Sequence, residues 1–191
     1  MVDDGVRRIG VDPALLPPEQ RDPGRRLRGR LAAPVTVWTA GGGDGVGGGA
    51  PAERVGLTVS SVLVAEGEPP EVVGLLGPLS DFWDTARATK RFVLHVLGAG
   101  QAGLAERFAG HYPGDPYEGL RVSASPAGPV LEDCDTRAAC SLTGQLEVGP
   151  GLLVRATLDE ITVGGELVDP LVHFRGRYLT IASRLAGGHP S

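Results

Sequence analysis

Three small hydroxyl residues close one short apolar run, Gly56-Leu57-Thr58-Val59-Ser60-Ser61, and they are the residues best placed to do chemistry by contact. Strand alternation sends Thr58 and Ser60 to one face, where hydroxyls and unpaired backbone amides can hold an anionic or heteroaromatic ligand. The same letters suit an ordinary strand end with polar termini, and composition does not choose between the two. Other chemistries lack their residues. Acyl transfer by a serine would call for a G-x-S-x-G elbow, which is missing from the chain. The four histidines, His95, His111, His173 and His189, show no i,i+4 pairing or acidic flank, so no metal centre is expected and each histidine reads as structural or exposed. Cys134 and Cys140 stand without a further Cys or His at ligand spacing and read as free thiols in a reducing compartment. Gly43 to Gly48 fits G-x-G-x-x-G formally, but Pro51 and a strand follow it instead of a helix, so it reads as a glycine-rich hairpin tip.

The elements that must position these residues are mainly strands. From Ala33 onward, β-branched runs alternate with Gly and Pro clusters, which predicts antiparallel strands over 35–39, 55–59, 72–76, 91–96, 141–148, 152–161 and 171–181. A β-barrel or sandwich follows. Two helices are predicted. One runs from Ser80 to Lys90, with a capping serine, acids in its first turn and bases at its end, as the helix dipole favours. The other runs from Gln101 to Phe108, with Leu104 and Phe108 on one face.

Composition bounds the rest. With 191 residues, 41% of them hydrophobic and 21% charged, the chain can form one real core, and global disorder is excluded. A net charge of −5 supplies no positive field for a nucleic-acid backbone. The longest apolar runs, such as Val72 to Leu76 and Phe92 to Leu97, fall short of the roughly 20 residues that span a bilayer, and the N-terminus is polar, so a cytoplasmic protein is expected. The chain holds 30 Gly, 16 Pro and a single Lys among its 18 bases, a turn-rich, Arg-biased texture. Residues 1–30 carry seven Arg against five acids and no sustained apolar period; they read as a partly extended arm that packs on the domain or a second subunit, or as plain solvated chain. The domain itself is expected over 31–185, with a flexible tail over 186–191.

The order of motifs is more specific than any one of them. Pro34-Val35-Thr36-Val37-Trp38-Thr39-Ala40, a glycine-rich turn, and Gly56-Leu57-Thr58-Val59-Ser60-Ser61 come first. Pro69-Pro70, Ser80 opening a helix, Arg91 to Leu97 and Leu104 to Ala109 follow, then Gly128-Pro129-Val130-Leu131, Ala138-Ala139-Cys140 and Asp169 to Tyr178. From about Leu31 to Ile181 this series resembles the flavin reductase-like FMN-binding split-barrel family. The resemblance implies a Greek-key split β-barrel with a few short helices, dimeric, holding flavin in a groove between subunits. Carried over by position, Trp38 and Thr39 would border the ring through backbone contacts, Thr58, Val59, Ser60 and Ser61 would meet the ring and ribityl chain, and Ser80, Asp81 and Phe82 would meet the phosphate. No catalytic side chain is implied. His173, Arg175 and Arg177 are candidates for balancing charge on reduced flavin or for binding a nicotinamide phosphate; surface charge is the other reading of them.

The resemblance further implies FMN or FAD as cofactor, NAD(P)H as co-substrate, and an NAD(P)H:flavin reductase that supplies a monooxygenase. Three departures qualify it. Asp81-Phe82 stand where many members carry a base and a hydroxyl, His95 replaces an asparagine, and Glu147 to Val154 lack the family's Gly-Asp-His element. The first and third keep two alternatives in view: a flavin-binding protein with a non-nicotinamide donor, and a dimeric module without enzymatic activity.

Overall fold

The computed structural model describes residues 22–43, 53–165 and 169–181. Residues 1–21, most of the glycine-rich tip and the 186–191 tail lie outside the described residues. In chain order the elements are α1 (Pro23–Arg28), β1 (Ala33–Pro34), β2 (Thr36–Ala40), β3 (Val55–Val59), β4 (Val62–Ala65), β5 (Glu71–Leu76), α2 (Asp81–Thr89) and β6 (Arg91–Val96). There follow α3 (Ala102–Arg107), β7 (Val122–Ser125), β8 (Gly128–Leu131), β9 (Arg137–Val148), β10 (Gly151–Thr162), β11 (Leu171–Phe174) and β12 (Arg177–Thr180).

Seven strands form one antiparallel sheet in the order β3-β2-β6-β9-β10-β5-β4. Its two edges belong to one continuous stretch of chain: residues 55–59 pair with β2, and residues 62–65 pair with β5. Sharing both edges curls the sheet into a split barrel, and register shifts at Arg155/Ala156 and Leu158/Glu160 let the long β9–β10 pair bend around it. Inward-facing side chains alternate with outward ones, so Val72, Leu76, Leu152, Val154, Ala156 and Leu158 meet inside. Phe82, Trp83 and Ala86 of α2 pack into the same core. Trp38 lies stacked on Phe92, 4.7 Å between centroids, with Phe82 edge-on to both rings.

A second core sits outside the barrel, where α3, Tyr117, Leu131 and Leu171 cover Val35 and Val37. The three-stranded sheet β1-β11-β12 and the β7–β8 hairpin frame it. The segment expected as one last strand over 171–181 is a hairpin instead. Arg175 and Gly176 both adopt positive φ, 51° and 75°, the backbone of a tight two-residue turn. Part of the expected arm is likewise ordered, because Asp22 caps α1 by accepting the Arg25 N–H at 3.0 Å and Pro23 suits the first helical position.

Candidate flavin site

The strand that borders both edges of the sheet is interrupted at Ser60–Ser61. Val59 is the last residue paired with β2, opposite Thr36, and Val62 the first paired with β5, opposite Gly74. Between them the Ser61 carbonyl accepts the Leu75 N–H at 3.0 Å. Among the described residues, the hydroxyls of Ser60 and Ser61, both half-buried, find no hydrogen-bond partner, and neither do their N–H groups. A pair of donors and two hydroxyls exposed at one rim suits the polar edge of a planar heteroaromatic ring.

The register that sets Val62 against Gly74 and Ser61 against Leu75 brings the end of β5, at Leu76, beside Ser60, and the chain reaches the α2 cap Ser80 four residues later. Its hydroxyl accepts the Trp83 N–H at 3.3 Å and donates to the Gly77 carbonyl at 3.2 Å, the capping role predicted for it. The N–H groups of Asp81 and Phe82 remain without an acceptor among the described residues, as the first turn of a helix leaves them. The Asp81 side chain is exposed and points no bond at any described residue, whereas Phe82 is buried in the barrel.

Other expected site residues sit elsewhere. Trp38 and Thr39 are fully buried, and both edges of β2 are hydrogen-bonded, to β3 on one side and β6 on the other. The backbone contacts expected of them are therefore closed off. Trp38 fills the core, donating its Nε1–H to the Thr36 hydroxyl at 3.0 Å, and the Thr39 hydroxyl donates to Pro129 at 2.5 Å. Val59 is core as well. Thr58 ties the barrel to α3: its hydroxyl donates to the Ala105 carbonyl at 2.7 Å and its N–H to the Phe108 carbonyl at 2.8 Å. Of the nine residues, Ser60, Ser61, Asp81 and Phe82 keep open N–H groups among the described residues, while the Ser80 hydroxyl is used in capping α2. Main-chain pairing decides this, and letters alone do not carry it.

His95 is fully buried. Its Nε2 accepts the Leu131 N–H at 3.0 Å, which leaves the proton on Nδ1 to be donated to the Val37 carbonyl at 3.1 Å. Burial lowers its pKa to about 4, the Val37 carbonyl opposing the shift and the Arg137 charge adding to it. Cys134 and Cys140 are buried thiols pushed up to about 11 and about 12, chiefly by burial, so neither is a nucleophile at neutral pH. His173 packs edge-on against Tyr178 on the β11–β12 hairpin, with Arg175 at the turn and Arg177 beyond it. A cleft of about 580 Å³ opens on the outer face of β6, β9 and β10; it is lined by Arg91, Arg137, Ser141 and Asp159 among others, and by none of the nine. No group of three His, Cys, Asp or Glu among the described residues is placed to hold a metal, and no described helix is long and apolar enough to cross a membrane.

A curled seven-stranded sheet, an interrupted shared strand and a capped helix just beyond β5 define a class of fold found in flavin-dependent reductases. The NADH:FAD oxidoreductase of Streptomyces globisporus C-1027, solved with NAD and FAD fragments, superposes with a TM-score of 0.74 at 23% identity, over 90% of this chain and 98% of that one. The styrene monooxygenase flavin reductase of Pseudomonas putida S12 gives 0.71 at 20% identity, over 85% and 99%. Residues 28–182 match the flavin reductase like domain, and the chain belongs to that family. Its relatives include a reductase component of 4-nitrophenol 4-monooxygenase/4-nitrocatechol 2-monooxygenase from Rhodococcus opacus, 30% identical over 81% of this chain and 77% of that protein. Another is an FMN reductase (NADH) from Variovorax paradoxus, 29% identical over 83% and 84%.

Proposed function

We propose that this protein is an NAD(P)H:flavin reductase that delivers reduced flavin to a separate monooxygenase. The observation that carries the reading is the interruption at Ser60–Ser61, whose free hydroxyls and N–H groups lie beside the end of β5, from which the chain passes into α2. These groups fit the donors and acceptors along one edge of FMN or FAD. Flavin bound there supplies a two-electron acceptor, N5, for hydride from nicotinamide C4. Ser60 and Ser61 hold the polar edge of the ring, and the amides of Asp81 and Phe82 receive the ribityl phosphate while the exposed Asp81 carboxylate turns to solvent. The named activities of the relatives support this reading.

Anaerobic addition of NADH or NADPH to FMN-loaded protein is expected to bleach the visible flavin band. A different electron donor is the second reading, favoured by the β9–β10 turn, where Gly149 and Pro150 stand and no acid–histidine pair does. Absence of bleaching with both nucleotides, with flavin bound, decides for that second reading. The S60A/S61A variant tests the site itself. Loss of two hydroxyl hydrogen bonds at about 1 kcal/mol each raises the FMN Kd roughly 30-fold, measured by flavin fluorescence quenching.

We further propose that two copies pair through the outward face of β4, β5, β10 and β9. There Leu63, Leu75, Leu146 and Val148 are exposed, and Val73 and Leu153 complete an apolar strip across the register Leu75↔Leu153↔Leu146. An isolated strip of this kind is the usual mark of an interface. Light scattering is expected to give a dimer mass, and L75E/L146E a monomer.

A further inference from the structure

We infer that the arginines of α1 and of the β11–β12 hairpin form one surface that binds the phosphates in the adenosine half of a dinucleotide. The inference rests on the flavin reductase reading, which puts such a ligand at the neighbouring rim. Two segments far apart in sequence meet here. The Arg175 N–H donates to the Gly29 carbonyl at 3.0 Å, docking the hairpin turn onto the end of α1, and the Arg28 charge acts on His173. Arg25, Arg26, Arg28 and Arg30 thereby join Arg175 and Arg177, all six exposed.

Arg54, Arg87, Arg121 and Arg155 each pair with a carboxylate, whereas none of the six lies within ion-pair distance of one among the described residues. It is their number on two docked segments that sets them apart from Arg91, Arg107 and Arg137, which also lack one. Two acids are near. Asp22 uses a carboxylate oxygen to cap α1, and Glu106 of α3 faces His173 and Tyr178. Six cations against these two, in a chain of net charge −5, make a concentrated positive field that a phosphate relieves. Guanidinium groups suit that ligand because each presents paired N–H donors to two phosphate oxygens.

The surface also lies where a dinucleotide would reach it. Ala33 of β1 pairs with His173, and three residues on, Thr36 pairs with Val59, the neighbour of Ser60. At strand rise this separates His173 from the level of the serine rim by roughly 10 Å. The chemistry has two sources, the pyrophosphate of FAD and the phosphates of NADPH, including its 2′-phosphate.

The test uses the full chain and a variant R26Q/R28Q/R30Q/R177Q, with the corresponding four-lysine variant as control. Calorimetry with ADP and with 2′,5′-ADP is expected to give a Kd about tenfold or more higher in the glutamine variant and largely restored by lysine. A wild-type affinity that falls as salt rises is expected too. Retained FMN affinity with weakened FAD binding assigns the surface to FAD; a raised KM for NADPH with NADH unchanged assigns it to the nicotinamide nucleotide. Equal binding of both probes by wild type and the glutamine variant, or binding by neither, overturns the inference. Riboflavin, which has no phosphate, reports on the serine rim alone, so its failure to bind would remove the flavin reading and leave the arginine result separately legible.

Discussion

Leucine in place of His95 is expected to destabilise the protein by about 1–3 kcal/mol, because it leaves the buried Leu131 N–H without an acceptor. The imidazole joins three elements. It is carried by β6, donates to the Val37 carbonyl of β2 and accepts from the Leu131 N–H at the end of β8. Leucine fills the volume but offers Leu131 no acceptor, while the Val37 carbonyl keeps its strand pairing with β6. The β7–β8 hairpin thereby loses a tie to the barrel. Urea denaturation at pH 7 measures the loss.

Acid gives the same site a second signature. Protonating Nε2 removes the acceptor for Leu131 and places a charge in an apolar setting, so the folded pKa of about 4 lies below the unfolded value of 6.5. Between those values the unfolded chain binds a proton that the native chain refuses, so stability rises with pH. The contribution is complete above 6.5 and falls as the solution is acidified to pH 4, by about 3 kcal/mol in total. Below that it changes no further through this group. H95L is expected to lack this portion of the slope. A wild-type stability that stays level between pH 6.5 and 4.5 would contradict the neutral, bridging histidine.

Much of the architecture was readable in local patterns, and the reasons differ by element. β3 and β6 agree with the strands expected over 55–59 and 91–96, since β-branched runs bounded by Gly and Pro leave little alternative. Ser80 capping α2 follows from serine preceding an acidic first turn. The β11–β12 turn was hidden because arginine at positive φ is rare, so Arg175-Gly176 carries only half of the usual turn signal. β7 and β8 carry no strand signal in the sequence because Ser123, Ala124 and Pro129 have weak strand preference; their pairing is supported by His95 and Thr39 reaching Leu131 and Pro129. The candidate site divides in the same way. Hydroxyls at Ser60 and Ser61 are visible as letters, but whether Trp38, Thr39 and Thr58 keep free groups depends on what β6, the β7–β8 hairpin and α3 place against them. That is long-range information. The meeting of the α1 arginines with Arg175 and Arg177 is of the same kind.

Gly74 tests how the barrel core supports the serine rim. It faces inward on β5, and a Cβ there would fall inside contact distance of Trp38 Cη2 and 2.9 Å from Cζ2. The indole cannot swing away, since it is stacked on Phe92, bounded edge-on by Phe82 and bonded through Nε1 to Thr36. G74A is therefore expected to cost about 1–3 kcal/mol by overpacking. It should also weaken flavin binding, because the neighbouring Leu75 N–H holds the Ser61 carbonyl and any outward shift of β5 moves that serine. W38F removes the outer indole atoms that the new methyl meets and orphans no donor, since the Thr36 hydroxyl still donates to the Val59 carbonyl at 2.7 Å. Alone it leaves a cavity and costs about 1–3 kcal/mol. Combined, the methyl enters the space the indole vacated, so G74A/W38F is expected to be more stable than the two single effects predict by about 1–3 kcal/mol, with FMN affinity recovering in parallel. Strict additivity of the two substitutions in denaturant unfolding would mean that the Gly74–Trp38 approach does not govern the packing beneath Ser61.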